Sequence, residues 1–168
     1  MRGMYSVDNS IAALQETPDN FKKLVKLVPK PYVDWRPRSW DGVPSETFTV
    51  LGQACHLRDI EIHGYHVRFH RALNEEKPEL SSIDSYALER NHQYNLQNLH
   101  EVIEEFRKAR RHTIDMLGQV SEKEMNRRAV FAEYGEVTFR SLIYILCSHD
   151  QQHLSGMHWL LAKIHSQA

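Results

Sequence analysis

Ser148-His149-Asp150-Gln151-Gln152-His153 sits inside an apolar run that extends from Phe139 to Ile164. Read as a helix, the run carries a stripe of Leu142, Leu146, His149, His153, Gly156, Leu160 and Ile164. Steps of three and four are the spacing of a face turned into a helix bundle. Two of the positions where Leu or Ile is expected hold histidine instead. On a helix, residues i and i+4 differ by about 40° and lie about 6 Å apart along the axis. Both imidazoles therefore reach one point in a bundle interior. That point is read as a metal ion, with a further ligand brought by another helix.

Outward from this run, Thr138 caps the last helix, and 128–137 reads as an irregular excursion with extended character, turning at Tyr134-Gly135. Ser121-Glu122-Lys123-Glu124 is a capping-box pattern. A longer helix is expected from Leu96 to Leu117, with Leu99, Ile103, Phe106, Ala109 or Arg110, Ile114 and Leu117 facing in and Gly118 closing it. A short helix starts at Asp84 or Ser85. The second long helix is expected from Glu46 to Glu76, capped by Ser45 and ended by Lys77-Pro78-Glu79, with Phe48, Leu51, Cys55, Ile62 and Phe69 inward. Nearer the N-terminus, Ser10 to Leu14 reads as a short helical start. Thr17-Pro18-Asp19 reads as a restart, with Phe21, Leu24, Val25 and Val28 beyond it on one side. Four substantial helices joined by linkers of varied length make an all-α bundle the natural packing.

The 168 residues suffice for one domain, taken as 1–168, with a sizeable core. A net charge of -1 with no basic block gives no duplex-DNA footprint, so no nucleic-acid partner is expected. No apolar run approaches the roughly 20 residues of a membrane span, and Met1 to Tyr5 contain no signal-peptide core. Two unframed cysteines, Cys55 and Cys147, suit a reducing cytoplasm, the expected location. Both are read as small core residues. Eleven histidines are the one compositional oddity.

Eleven histidines in this length give roughly 0.7 His-x-x-x-His pairs by chance, so spacing alone decides little. Context separates the two pairs present. His149 and His153 replace core residues, whereas His66 and His70 lie in a charged run where solvation is the cheaper state. His92, His100, His112, His158 and His165 are isolated and expected to be exposed. A third ligand must come from another helix. His56, beside Leu51 and Cys55, is the best candidate. His63 lies on nearly the same face about 10.5 Å further along the axis, so only one of the two joins His149 and His153.

His56-Leu57-Arg58-Asp59-Ile60-Glu61 together with His149-Asp150-x-x-His153 resembles the DinB-like superfamily of four-helix-bundle metal proteins. Trp35-Arg36-Pro37, Lys77-Pro78-Glu79-Leu80, Phe106-x-x-x-Arg110 and Gly135-x-Val137-Thr138 fall in the same order and extend the resemblance from about Ala12 to Ile164. It implies an up-down-down-up bundle with a long crossover. It also implies a three-histidine site for a divalent ion, formed by His56, His149 and His153. Activities ascribed to the superfamily include thiol-dependent transfer, thiol-dependent isomerisation and hydrolysis, and members often form homodimers.

Three neutral imidazoles leave an ion its full charge and an open position. Such a site lowers the pKa of bound water or stabilises a thiolate. Imidazole suits zinc, nickel or iron alike. A metal-dependent S-transferase or hydrolase acting on a small molecule, with a low-molecular-weight thiol as possible cosubstrate, is the leading expectation. The alternative is a non-catalytic metal- or small-molecule-binding bundle. Asp59, three residues after His56, is expected to accept the second N–H of a ligating histidine. Arg110 is expected to face the bundle, more readily as a structural ion pair than as an anion site. A di-iron carboxylate site is disfavoured, because Gln53 and Leu146 stand where Glu would be needed.

Overall fold

The computed structural model describes residues 7–167; the Met1 to Tyr5 reading lies outside them. Its long elements are α1 (Asp8–Val25), α2 (Val50–Asp59), which runs through a π-helical turn (Ile60–Tyr65) into α3 (His66–Asn74), α5 (Leu99–Leu117) and α7 (Phe139–His165). The short elements are β1 (Glu79–Leu80), α4 (Ser85–Asn91), α6 (Glu122–Met125), β2 (Arg128–Phe131) and β3 (Gly135–Thr138). Among the described residues, no helix is long and apolar enough to cross a membrane.

Pairings across the bundle give the topology. Lys22 meets Glu104 while Leu14 meets Arg110, so α1 and α5 are antiparallel. Arg58 meets Glu105 while His66 meets Thr113, so α2–α3 runs parallel to α5. His56 meets His149 while Gln53 meets His153, so α7 is antiparallel to α2. The order is up-down-down-up. The parallel middle pair is joined by the crossover through β1 and α4.

Several local boundaries differ from expectation. α1 does not restart at Thr17; Pro18 sits inside one helix. Proline has no N–H to bond the carbonyl four residues back, and Arg110 Nη1 fills that vacancy by donating to Leu14 O at 2.8 Å. Thr49, not Ser45, caps α2 and accepts from Gly52 N–H at 3.1 Å. Ser45 instead accepts from Gln53 Nε2 at 3.0 Å. In the π turn, His66 N–H reaches back to Glu61 O, a register slip of about one residue. Glu61 accordingly takes the buried place that an unbroken heptad gives to Ile62. α5 begins at Leu99 with Asn98 as its cap, while Leu96 lies exposed in a 3₁₀ turn. Gly118 closes α5 in the right-handed region, so its glycine freedom is not used.

The excursion before α7 is a hairpin. β2 and β3 pair antiparallel, Val130 opposite Glu136, and Gly135 turns with φ +71. Lys77-Pro78-Glu79 does more than end a helix: it leads into β1, which pairs parallel with β2. Thr138 caps α7 in a capping box with Ser141, and Ser121 does the same for α6.

Two apolar clusters form the core. One gathers Phe69, Phe131, Phe139, Leu142 and Leu146 towards the hairpin, and the other gathers Phe21, Leu51, Phe106, Tyr94 and Leu160. Between them, along α2, α5 and α7, runs a layer of buried polar residues: His56, Glu61, Arg110, Thr113, Asp150 and His153. The candidate site lies in that layer.

Candidate metal centre

α2 supplies His56, fully buried, because its position falls on the apolar inner face. α7 supplies His153, also fully buried, and one turn earlier His149, whose side chain is 18% exposed. A nitrogen from each of the three lies within 4.8 Å of the others. His56 Nε2 and His149 Nε2 are 3.0 Å apart. His63 is exposed and does not join them.

The surroundings fix one imidazole in a defined form. His153 Nδ1–H donates to Gln53 Oε1, and the Gln53 amide is held in turn by Ser45 Oγ. The His153 Nε2 lone pair is thereby directed into the cluster, where that buried atom has no hydrogen-bond partner. Burial lowers the pKa of His56 and of His153, and the crowding of neighbouring imidazoles adds to the effect. Both are therefore neutral near pH 7, the form that ligates a cation.

The Glu46 carboxylate stands beside two of the rings. Glu46 Oε2 is 3.3 Å from His153 Nε2 and Oε1 is 3.7 Å from His56 Nε2, with Ser85 Oγ donating to Oε1 at 3.4 Å. Glu46 lies in the loop before α2, outside any periodic pattern, so the sequence carries no signal for it. Gln53 was more legible: it is a lone amide on an apolar face, one turn before His56. A cavity of about 230 Å³ opens from Glu46, His56 and His149 towards Tyr65, Arg68 and Phe131.

Behind the rings, Arg110 forms a buried ionic cluster. It donates to Glu61 at 2.9 and 2.8 Å and to Asp150 at 2.6 and 3.2 Å. Thr113 Oγ1 donates to Glu61 Oε1 at 2.5 Å. Burial would push the Asp150 carboxyl up, but the Arg110 charge outweighs it and holds Asp150 well below the usual range. Arg110 is thus a structural ion-pair residue. Asp150 Oδ1 also lies 3.9 Å from His149 Nδ1, too far for a direct hydrogen bond.

Asp59 takes different partners from those expected. It is buried, but its oxygens accept from Arg58 Nε at 2.8 Å and His92 Nδ1 at 2.6 Å, and His56 Nδ1 is left without a partner. The helical offset of about 300° that puts i+3 on the same side still leaves about 60° between the two side chains. That turns Asp59 towards α4 and α5. His92 is therefore half-buried and bonded, not isolated. His66 likewise is not merely solvated: its Nε2 lies 3.1 Å from both Ala109 O and Thr113 Oγ1. Asp59, His63 and His92 make a second grouping of possible donor atoms on that face. His70, His100, His112, His158 and His165 are exposed.

Both cysteines are free. Burial pushes the Cys55 thiol up to about 12 and the Cys147 thiol up to about 11, so neither supplies a thiolate.

The sequence matches the DinB superfamily over residues 13–157. Among solved structures, the chain is similar to YfiT from Bacillus subtilis, described as a probable metal-dependent hydrolase with an unusual four-helix bundle topology. The TM-score is 0.83 at 19% identity, covering 98% of this chain and 91% of that one. Comparison with curated proteins finds no match.

Proposed function

The chain belongs to the DinB superfamily, and from that premise we propose that it is a divalent-metal-dependent enzyme, with His56, His149 and His153 as its metal ligands. The observation that carries this reading is the convergence of three imidazoles in which the buried His153 Nε2 faces inward with no hydrogen-bond partner. Two nitrogens bound to one ion at about 2.0–2.1 Å would stand about 2.9–3.4 Å apart for ordinary bond angles. The His56–His149 separation of 3.0 Å falls in that range. The Arg110 cluster, one cation against two carboxylates, carries a net negative charge in the same layer, and a cation nearby would offset it.

Zinc, nickel or iron fits the donor set. The ion would supply an electrophilic centre at which water or a thiol is held deprotonated. The chain's own contribution is orientation and proton handling. Gln53 fixes the His153 tautomer. Glu46, beside the Nε2 atoms of His56 and His153, would accept a hydrogen bond from the incoming nucleophile and orient it. A carboxylate placed there favours hydrolysis. The same site would accept a low-molecular-weight thiol from solution, since neither cysteine of the chain serves, and then act as an S-transferase. The protein is read as a cytoplasmic homodimer acting on a small molecule.

The test offers ester and amide substrates in one panel and small thiols with an electrophile in another, each with and without chelator. Chelator-sensitive hydrolysis selects the hydrolase. Chelator-sensitive conjugation selects the transferase. No chelator-sensitive turnover in either panel leaves a binding module and overturns the enzymatic reading.

A further inference from the structure

The three long-range buried arginines of the bundle are not alike. Arg58 pairs with Asp59 and Glu105, and Arg110 pairs with Glu61 and Asp150. Arg68, only 6% exposed, has no carboxylate within ion-pair distance among the described residues. Of its five N–H donors, one is used, Nη2 to Ser81 O at 3.1 Å. Its Nε is buried without an acceptor. Glu133, in the hairpin turn, acts on Arg68 through its charge alone, and its carboxylate accepts from Ser82 Oγ at 3.0 Å. Burial of an unpaired guanidinium is costly, and such charges are ordinarily paired.

The structure nevertheless makes room for this group. The guanidinium lies 4.6 Å from the Phe131 ring centroid and 5.0 Å from that of Tyr65. Gly64, one turn earlier, lies under it: a Cβ there would stand 2.9 Å from Arg68 Nη1. Arg68 walls the 230 Å³ cavity that opens from Glu46, His56 and His149, and on its other side borders a smaller cavity of about 130 Å³. It therefore faces space where the other two arginines face carboxylates.

We propose that Arg68 is the anion-binding residue of the site, and that the substrate is a small carboxylate whose anionic end docks on Arg68 while its reacting end lies at the three histidines. This rests on the metal-site reading above. Carboxylate is favoured over phosphate by shape. With aromatic rings against the guanidinium, its free donors act in its own plane, which a planar carboxylate matches. The cavity is also smaller than the roughly 300–1,000 Å³ that drug-sized ligands occupy, which limits the substrate to a small molecule. Glu46, which lines the same cavity beside the histidines, repels a carboxylate placed at the wrong end and so sets its direction.

The experiment measures binding of acetate, pyruvate and benzoate by calorimetry, with acetamide and benzamide as neutral controls and inorganic phosphate as the competing anion. Each is run on metal-loaded and chelator-stripped protein, with metal content determined in parallel. At least one carboxylate should bind the wild type and its amide should not. Arg68→Met should weaken that carboxylate by at least about tenfold, the scale of a lost charged hydrogen bond. Metal content should not change, and Arg68→Lys should restore part of the affinity. Gly64→Ala, which displaces the guanidinium without removing it, should weaken the same ligand. The proposal is overturned if no carboxylate binds, if amides bind as well, if phosphate binds best, or if both variants bind carboxylate like the wild type. It is also overturned if Arg68→Met loses metal and carboxylate together, which marks a structural role. A wild type that holds no ion yet still binds carboxylate through Arg68 would sink the metal reading and leave this one standing.

Discussion

His56 Nε2 on α2 and His149 Nε2 on α7 face each other at 3.0 Å. One proton shared between two imidazoles, or one cation between two lone pairs, accounts for such an approach. The third ring distinguishes them. His153 Nδ1–H is committed to Gln53, so its Nε2 brings a lone pair to a place that already holds two ring nitrogens. Three acceptors crowded together are stabilised by a cation more than by a single proton.

Gln53 should matter to metal affinity although it is not a ligand. Gln53→Ala removes the acceptor that fixes the His153 tautomer, and affinity should fall about 10–100-fold, the usual effect of such partners. Gly156→Ala should act in the same direction. Its Cβ would crowd Ser45 and stand 3.2 Å from Gln53 Nε2, displacing the same amide. Competitive chelator titration of both variants checks this; unchanged affinity in both would remove Gln53 from the site.

The pH dependence of the metal-free protein follows from the depressed pKa values of His56 and His153. Below the ordinary histidine value of 6.5, the unfolded chain takes up protons that the folded chain refuses. Folding stability should therefore fall as pH drops from 6.5 towards the depressed folded values. Carboxylates such as Asp150 act in a lower window, below their ordinary 3.8. Urea midpoints between about pH 8 and about pH 5 measure the histidine contribution; a flat profile contradicts burial of neutral rings.

Arg110→Ala should destabilise the protein by about 3–5 kcal/mol, because it strands Glu61 and Asp150 as uncompensated buried charges. It also frees the Leu14 carbonyl that Pro18 cannot bond. Chemical denaturation reads the loss. A change below about 1 kcal/mol would place this cluster with exposed pairs in energetic terms.

Much of this was legible in the sequence because α7 has a period. Leu142, Leu146, His153, Gly156, Leu160 and Ile164 are all buried as the stripe requires, and that alone places two of the three converging histidines. Caps with local chemistry, Thr138 and Ser121, were legible for the same reason. What escaped lies where local rules yield to the third dimension. The π turn shifted Glu61 into the core against the heptad. Pro18 read as a helix start because its tertiary partner, Arg110, is far along the chain. Glu46 and Arg68 gave no signal, since a loop carboxylate and an arginine in a charged run look solvated until the hairpin and α7 close over them.

A homodimer is expected, since symmetric pairs are the commonest assemblies. Sedimentation at micromolar concentration should return twice the chain mass of 19.7 kDa; the monomer mass would refute it.

The most direct measurement is metal content of purified protein after stripping and reloading, for the wild type, His153→Ala and His66→Ala in parallel. The account predicts about one tightly held divalent ion per chain in the wild type and in His66→Ala, and almost none in His153→Ala. Retention of the ion by His153→Ala with its loss from His66→Ala would contradict the three-histidine site.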